Sequence, residues 1–384
     1  MQNYIPLSVP NFGESEVEYT KTAIETEWVS TAGPYIPKFE KAISNYVGSK
    51  DCVVCQNGTS ALHLAYMEVG ISRNDLVIVP NLTFIASINP LIYIGAVPVF
   101  MDCDEYLCID PEKIEEFCSE ECEMRDDELV HKTSNRRVKA IVPVHIFGNL
   151  CDMDRIVGLA ERFNLKIGED ACESLGSFFV GGRFDGKHSG MAGDIGVFSF
   201  NGNKIITTGG GGAVVAKEQK SLDHIRYLSQ QSKDDALRFV HNEVGYNYRM
   251  TNVQAALGLA QIEKLENFVS IKENNYNAYI EKGLPLLPFA THRCRPNRWF
   301  YSLFTDKKRD EVICILKENG IESRPIWELM HRLKPFAPFA NISKQDFKKS
   351  SYFHENIVNI PCSTNLKEKD LLRVVETLKT VLPI

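Results

Sequence analysis

Residues 193–215 read GDIGVFSFNGNKIITTGGGGAVV and combine two apolar runs with one lysine and four consecutive glycines. The apolar runs predict buried strands over residues 195–200 and 211–217. Lys204 follows the first of these strands in a polar turn, where a lysine can form a Schiff base with a carbonyl compound. The alternative is an exposed turn lysine that serves only solubility. The glycines at 209–212 allow the backbone to pass close to a ligand.

Short β-rich runs alternate with helix-like segments on either side of this stretch, from residue 50 to residue 217. The alternation is typical of βα units, so we predict an α/β fold with a mostly parallel seven-stranded sheet. The predicted strands cover residues 52–56, 76–80, 97–102, 138–145, 165–170, 195–200 and 211–217. The predicted helices cover residues 60–70, 84–93, 153–162 and 251–267, the last behind a cap at Thr251 and Asn252.

Two regions differ from this pattern. Residues 118–139 are charged and aperiodic, which indicates a surface excursion. After about residue 270, repeated prolines break the chain into short elements before a final helix-like run at 367–382. We therefore predict a large domain over residues 1–265 and a smaller C-terminal α+β domain over residues 266–384.

The charge balance bears on possible partners. The 384 residues include 43 Lys and Arg against 50 Asp and Glu, a formal net charge of −7, and the basic cluster Arg136, Arg137 and Lys139 is short. This balance argues against a nucleic-acid partner. The N-terminus lacks the features of a signal peptide, and the longest apolar stretch, 84–101, is interrupted by asparagine, glycine and proline. We expect a soluble, cytoplasmic protein without a membrane partner.

The eleven cysteines are scattered, and their number is odd. Cys52 and Cys55 have the spacing of a metal or redox pair, but they lie in an apolar strand-like run without a second ligand pair. We predict buried thiols and no metal site.

A second informative segment, KIGEDACESLGS, covers residues 166–177. Its predicted strand ends at Asp170, at the edge of the sheet where α/β folds bind ligands. A carboxylate at this edge can pair with the pyridinium nitrogen of pyridoxal phosphate. The alternative is an aspartate that caps the next helix.

A third segment, QNGTSALH, covers residues 56–63. It turns through Gly58 from a predicted strand into a helix whose first N–H groups belong to Thr59, Ser60 and Ala61. Free N–H groups at the positive end of a helix dipole form a phosphate site. An ordinary threonine or serine cap is the alternative.

These three segments, in this order, resemble the fold type I (aspartate-aminotransferase-like) pyridoxal-phosphate enzymes, and within them the nucleotide-sugar aminotransferases of the DegT/DnrJ type. The resemblance extends over nearly the whole chain. Its matching motifs are WVSTAGP at 28–34, FE at 39–40, NGT at 57–59, PNLTF at 80–84, PVH at 143–145, EDA at 169–171, FSFNGNK at 198–204 and GYNYRM at 245–250.

The resemblance implies a role for each matching residue. Lys204 would hold pyridoxal 5′-phosphate as an imine and move the proton, and Asp170 would pair with the ring nitrogen. Phe84 would stack on the ring, and Thr59, Ser60 and Ser199 would hold the phosphate. Asn247 would reach the phosphate of the neighbouring subunit, which implies a homodimer with shared active sites. Arg249 and His331 fall near the family's substrate region.

Glu173 departs from the pattern, because many relatives have glutamine or histidine at this position, which approaches the ring oxygen of the cofactor and the substrate. The form DACESLG at 170–176 and the glycine run look most similar to the subgroup of the legionaminic acid and bacillosamine pathways. Glu173 is therefore interpreted as a subgroup feature that contacts the cofactor.

The resemblance also implies a reaction. L-glutamate would load the cofactor, and a 4-keto-6-deoxy nucleotide sugar would receive the amino group at C4. The subgroup points to UDP-2-acetamido-2,6-dideoxy-4-keto-glucose; a 3-keto sugar or a GDP- or dTDP-linked sugar is the alternative acceptor. An alternative of another class is a regulatory protein that binds pyridoxal phosphate without turnover, whose imine absorbance L-glutamate would not bleach.

Overall fold

A nine-stranded sheet forms the centre of the computed structural model, which describes residues 4–235, 237–306 and 308–382. The strand order is β1-β10-β9-β7-β6-β2-β3, with β5 beside β6 and β4 beside β5. The strands of the described chain are β1 (Val53–Cys55), β2 (Leu76–Pro80), β3 (Val97–Met101), β4 (Cys122–Arg125), β5 (Glu128–His131), β6 (Arg136–Ile141), β7 (Lys166–Asp170), β8 (Phe178–Phe179), β9 (Ile195–Ser199), β10 (Gly212–Ala216), β11 (Cys294–Arg295), β12 (Tyr301–Phe304), β13 (Arg324–Pro325) and β14 (Ile357–Ile360).

Most of the central strands run in the same direction. The pairs β2/β3, β2/β6, β6/β7 and β7/β9 are parallel, whereas β10 is antiparallel to both β1 and β9. The carboxyl ends of β1, β2, β7 and β9 therefore meet at one edge of the sheet. The seven predicted strands and their mostly parallel arrangement are confirmed, within a sheet of nine strands.

The hairpin β4–β5 adds two strands that the sequence analysis assigned to an irregular excursion over residues 118–139. That prediction was wrong in part, because β5 pairs with β6 and its alternate residues Leu129 and His131 are buried. The charged side chains on the outer face of the hairpin hide this period-two pattern in the sequence.

Helices cover both faces of the sheet. The α-helices are α1 (Glu14–Glu25), α2 (Tyr35–Val47), α3 (Gly58–Glu68), α4 (Asn89–Ile94), α5 (Pro111–Glu116), α6 (Met153–Phe163), α7 (Gln219–Leu228), α8 (Asn252–Ile262), α9 (Leu265–Glu281), α10 (Arg309–Glu318), α11 (Lys348–Asn356) and α12 (Glu368–Lys379). Along β2, Leu76 and Ile78 pack in one apolar cluster with Ile156 of α6, while Val77 and Val79 pack in another. Successive strand residues face opposite sides, so this division shows a sheet buried on both faces.

Two predicted helices have different bounds in the structure. The helix predicted over 84–93 begins only at Asn89, because Pro90 has no N–H to donate and is favoured in a first turn. The helix predicted over 251–267 ends at Ile262, and α9 follows as a separate helix. Its predicted cap is confirmed, since Thr251 Oγ1 accepts a hydrogen bond from the Gln254 N–H.

The C-terminal residues form a second apolar core around the sheet β12-β14-β13. Ile5 and Leu7, from the start of the chain, pack in the same core. The N-terminal segment therefore packs with the C-terminal elements, and the division at residue 265 stays a prediction.

None of the helices in the described part of the chain has the length and apolarity needed to cross a bilayer. Cys52 and Cys55 are buried free thiols, as predicted.

Candidate active site

A cavity of about 540 Å³ opens at the edge of the sheet where the parallel strands end. The residues that line it follow four of these strands: Thr59 after β1, Phe84 after β2, Asp170 and Glu173 at β7, and Ser199 with Lys204 at β9. The parallel sheet thus brings together residues that lie far apart in the sequence. Six of the ten predicted site residues share this cavity.

Lys204 extends into the cavity from the turn after β9, where its backbone N–H donates to the carbonyl of Asn201. Its Nζ lies 3.5 Å from Glu173 Oε1 and 3.7 Å from the centre of the Trp299 ring. The side chain is 12% exposed. The lysine is therefore enclosed by specific partners, unlike the freely exposed turn lysine considered as the alternative.

Asp170 presents a buried carboxylate at the end of β7. Its Oδ2 accepts a 2.6 Å hydrogen bond from Ser87 Oγ, and its Oδ1 accepts a 3.1 Å hydrogen bond from the Cys172 N–H. Ser87 Oγ also lies 3.0 Å from Thr83 Oγ1. Turns follow Asp170 over residues 171–177, so this carboxylate does not cap a helix.

Glu173 is buried beside Lys204. Burial raises the pKa of the Glu173 carboxyl to about 7, although the Lys204 ammonium and the Phe147 N–H oppose the rise. The Phe147 N–H donates to Glu173 Oε2 over 2.9 Å, which fixes the carboxyl group. A group of this pKa can hold or release a proton near neutral pH.

The N-terminus of α3 forms another wall of the cavity. Asn57 is the cap residue, since its Oδ1 accepts a 2.8 Å hydrogen bond from the Ser60 N–H. A Cβ on Gly58 would lie 2.8 Å from Ser199 Cβ, so only glycine lets the helix start approach Ser199 this closely. Thr59 and Ser199 line the cavity, whereas Ser60 is buried behind it. The alternative of a threonine or serine cap is therefore wrong.

Phe84 precedes the 3₁₀ turn Ile85–Ser87 in extended conformation, and the residue is 49% exposed. The ring centre lies 6.2 Å from that of Trp327, which also lines the cavity. An aromatic face is thus available to a planar ligand.

The remaining predicted residues lie elsewhere. Asn247 and Arg249 line a separate cavity of about 240 Å³, where Arg249 donates a hydrogen bond to Gln230. His331 Nδ1 lies 2.8 Å from Asn81 Oδ1, and its ring stacks on Phe347. None of these three lines the cavity of Lys204.

Several residues of the cavity are not predicted from the sequence. Ser87 was not identified, although it lies close to the PNLTF motif. Trp299, Arg324 and Trp327 were also missed, because they come from the C-terminal part of the chain and only the tertiary structure places them at this edge.

Comparison with known proteins identifies the family of the chain. The chain matches the DegT/DnrJ/EryC1/StrS aminotransferase family over residues 10–379. It is 38% identical to the GDP-perosamine synthase of Caulobacter vibrioides over 388 residues, with 98% of each chain covered. It is 34% identical to the GDP-perosamine synthase of Escherichia coli O157:H7 over 380 residues, again with 98% of each chain covered.

The fold is shared with solved structures. Helicobacter pylori PseC, an aminotransferase involved in the biosynthesis of pseudoaminic acid, superposes with a TM-score of 0.87 at 22% identity over 99% of both chains. At this identity the similarity supports the fold alone, and it confirms the predicted fold type I class.

Proposed function

We propose that this chain, which belongs to the DegT/DnrJ/EryC1/StrS aminotransferase family, transfers an amino group from L-glutamate to C4 of a GDP-linked 4-keto-6-deoxy sugar. Membership of the family makes the chain a sugar aminotransferase that uses pyridoxal phosphate. The observation that carries the proposal is the common cavity of Lys204 and the buried Asp170.

The residues of the cavity fit pyridoxal phosphate. The cavity has the enclosed primary amine of Lys204, the buried carboxylate of Asp170, the N-terminus of α3 beside Ser199, and the exposed aromatic face of Phe84. In this order, these groups match the aldehyde, the pyridine nitrogen, the phosphate and the ring of the cofactor. We assign Thr59, Ser60 and Ser199 to the phosphate, although the Ser60 N–H is already bonded to Asn57.

When bound, the cofactor accepts the electron pair that remains after a proton leaves the carbon of L-glutamate that carries the amino group. Lys204 provides the amine that carries this proton, because its Nζ is enclosed in the cavity and has Glu173 beside it. Asp170 would pair with the ring nitrogen, and the hydrogen bonds from Ser87 and Cys172 hold its carboxyl group in place. Glu173 Oε1 lies 3.5 Å from the Nζ of this lysine.

The proposed nucleotide of the acceptor differs from the one first expected. The sequence resemblance favours a UDP-linked acetamido sugar, with a GDP-linked sugar as the alternative. Two relatives of at least 34% identity over 98% of the chain are named GDP-perosamine synthases, and these names support the GDP alternative. The expected link to legionaminic acid or bacillosamine has no comparable support.

A second subunit is part of the proposal. Leu237, Phe239 and Val244 are 83%, 73% and 80% exposed, and exposed apolar side chains grouped in one segment are typical of an interaction surface. Asn247 and Arg249 follow in the same segment, outside the cavity of Lys204. We propose that this segment packs against a second copy of the chain and brings Asn247 to the neighbouring site. Arg249 and His331 remain proposed substrate contacts.

The test uses purified protein loaded with pyridoxal phosphate, L-glutamate and a panel of GDP-, UDP- and dTDP-linked 4-keto-6-deoxy sugars together with a 3-keto sugar. Mass spectrometry of the products measures transfer of the amino group. We expect the GDP-linked 4-keto sugar to give the highest kcat/KM. A preference of tenfold or more for a UDP-linked acceptor would contradict the assignment of the nucleotide.

A further inference from the structure

We infer that Trp299 is a positioning residue whose indole face holds the amino group of Lys204 in the cavity while the lysine is not joined to the cofactor. This inference rests on the proposed function, because a transaminase must release its lysine from the cofactor and then use the same amine to move a proton. A free lysine side chain has four rotatable bonds. Something must therefore restrict its position.

The contacts of Lys204 single out the ring. Its Nζ has three protons to donate, yet its hydrogen bond within the described residues, to Glu173 Oε1, is 3.5 Å long. The centre of the Trp299 ring lies 3.7 Å from Nζ, well inside the range in which an aromatic face attracts an ammonium group. The amine thus lies between a carboxyl group and an aromatic face, and the ring is the better-formed contact.

The ring is itself fixed on several sides. Its Nε1–H donates a 2.7 Å hydrogen bond to the carbonyl of Asn203, the residue before the lysine. Its backbone N–H donates to the Phe147 carbonyl, and its backbone carbonyl accepts a 2.7 Å hydrogen bond from the buried Lys272 Nζ. The indole also stacks on Phe300 with a 4.1 Å separation of ring centres. Trp299 therefore cannot move independently of the turn that carries Lys204.

This arrangement has a chemical consequence. The ammonium gains from the π electrons without a strong hydrogen bond that would have to be broken before the amine reacts. A short salt bridge would hold the lysine more tightly but would oppose its return to the cofactor. Trp299 thus restrains Lys204 and leaves it available for reaction.

The test compares Trp299→Phe, which keeps an aromatic face, with Trp299→Leu, which does not. Stopped-flow absorbance follows imine formation when pyridoxal phosphate is added to the full-length protein stripped of cofactor. We expect Trp299→Phe to react within about threefold of wild type and Trp299→Leu to react roughly tenfold more slowly. If imine formation slows equally in both variants, the lost hydrogen bond with Asn203 causes the slowing, and the inference is overturned.

Combining Trp299→Leu with Lys204→Ala distinguishes an effect on the position of the lysine from damage to the cavity. Without the lysine, pyridoxal phosphate binds non-covalently, and its Kd can be measured by fluorescence. If Trp299 acts through Lys204, adding Trp299→Leu to Lys204→Ala leaves that Kd within about twofold. A tenfold weaker Kd in the double variant would show a structural role and contradict the inference.

The Lys204→Ala variant, with and without Trp299→Leu, also tests turnover. Added methylamine replaces the missing lysine amine, and the rate of the rescued reaction with L-glutamate should be insensitive to Trp299→Leu. A tenfold loss in the rescued reaction would overturn the inference. Failure of the wild-type protein to react with L-glutamate at all would instead overturn the proposed function.

Discussion

Ser87 Oγ donates a 2.6 Å hydrogen bond to Asp170 Oδ2 across 83 residues of sequence, and both side chains are buried. The serine lies in the 3₁₀ turn after β2 and the aspartate ends β7, so the bond links the ends of two parallel strands. It orients the carboxylate that we propose pairs with the ring nitrogen of the cofactor. The hydroxyl is therefore part of the site, although it need not touch the cofactor.

Removal of this hydroxyl should slow the chemistry while the cofactor remains bound. We expect Ser87→Ala to lower the rate of the half-reaction with L-glutamate by roughly 10- to 100-fold, since a hydrogen bond to a charged group contributes roughly 1.5–3 kcal/mol. Asp170→Asn should lower it by at least 100-fold. Single-turnover absorbance measures both. Ser134→Ala, in the hairpin region away from the cavity, is the control, and an equal loss there would refute the role of Ser87.

The raised pKa of Glu173 predicts how stability depends on pH. Between the ordinary value of 4.5 and about 7, the folded protein keeps a proton on Glu173 that the unfolded chain has already released. The free energy of unfolding should therefore decrease as pH rises through this window, by at most about 1.4 kcal/mol per pH unit from this group. Urea unfolding of cofactor-free protein at pH 5 and pH 7.5 measures the decrease.

Glu173→Gln supplies the comparison for that experiment, because glutamine has a similar shape and does not titrate. We expect the decrease between pH 5 and pH 7.5 to be smaller in the variant than in wild type by about 1 kcal/mol or more. Identical pH dependence of the two proteins would show that Glu173 titrates normally.

Gly58 allows the start of α3 to approach Ser199 at the proposed phosphate end of the site. A Cβ at this position would lie 2.8 Å from Ser199 Cβ and 2.9 Å from its Oγ, so Gly58→Ala must push α3 away from Ser199. We expect the Kd for pyridoxal phosphate to rise about tenfold. Gly158→Ala in α6 is a matched control, because no atom lies within 4 Å of its added Cβ. That variant should bind the cofactor normally and be equally or slightly more stable.

The proposed subunit contact predicts a change in assembly. Phe239→Glu places a charge where an apolar side chain is 73% exposed, and it should convert the dimer to a monomer with weaker cofactor binding. Sedimentation velocity measures the assembly. Met124→Glu on the hairpin β4–β5 is the control, since Met124 is also exposed but lies far along the chain from the proposed contact. A dimeric Phe239→Glu variant would contradict the assignment of this surface.

The sequence predicted those parts of the site that follow directly from strand ends. Lys204, Asp170 and Ser199 each lie at or just after a short apolar run, and parallel strands bring such ends together. The sequence did not predict Trp299, because its contact with the Lys204 turn joins residues 96 positions apart and no local pattern signals it. The hairpin β4–β5 was missed because its three buried positions, Cys122, Leu129 and His131, lie among charged neighbours.

One absorbance measurement tests the proposed role of Lys204 as the amine that forms the imine with pyridoxal phosphate. Wild-type protein and Lys204→Ala are loaded with pyridoxal phosphate, and spectra are recorded before and after L-glutamate is added. We predict an imine band in the wild type that L-glutamate converts to the spectrum of the pyridoxamine form, and no such band in Lys204→Ala. A wild-type imine band that L-glutamate leaves unchanged, or an imine band that persists in Lys204→Ala, would contradict this role of Lys204.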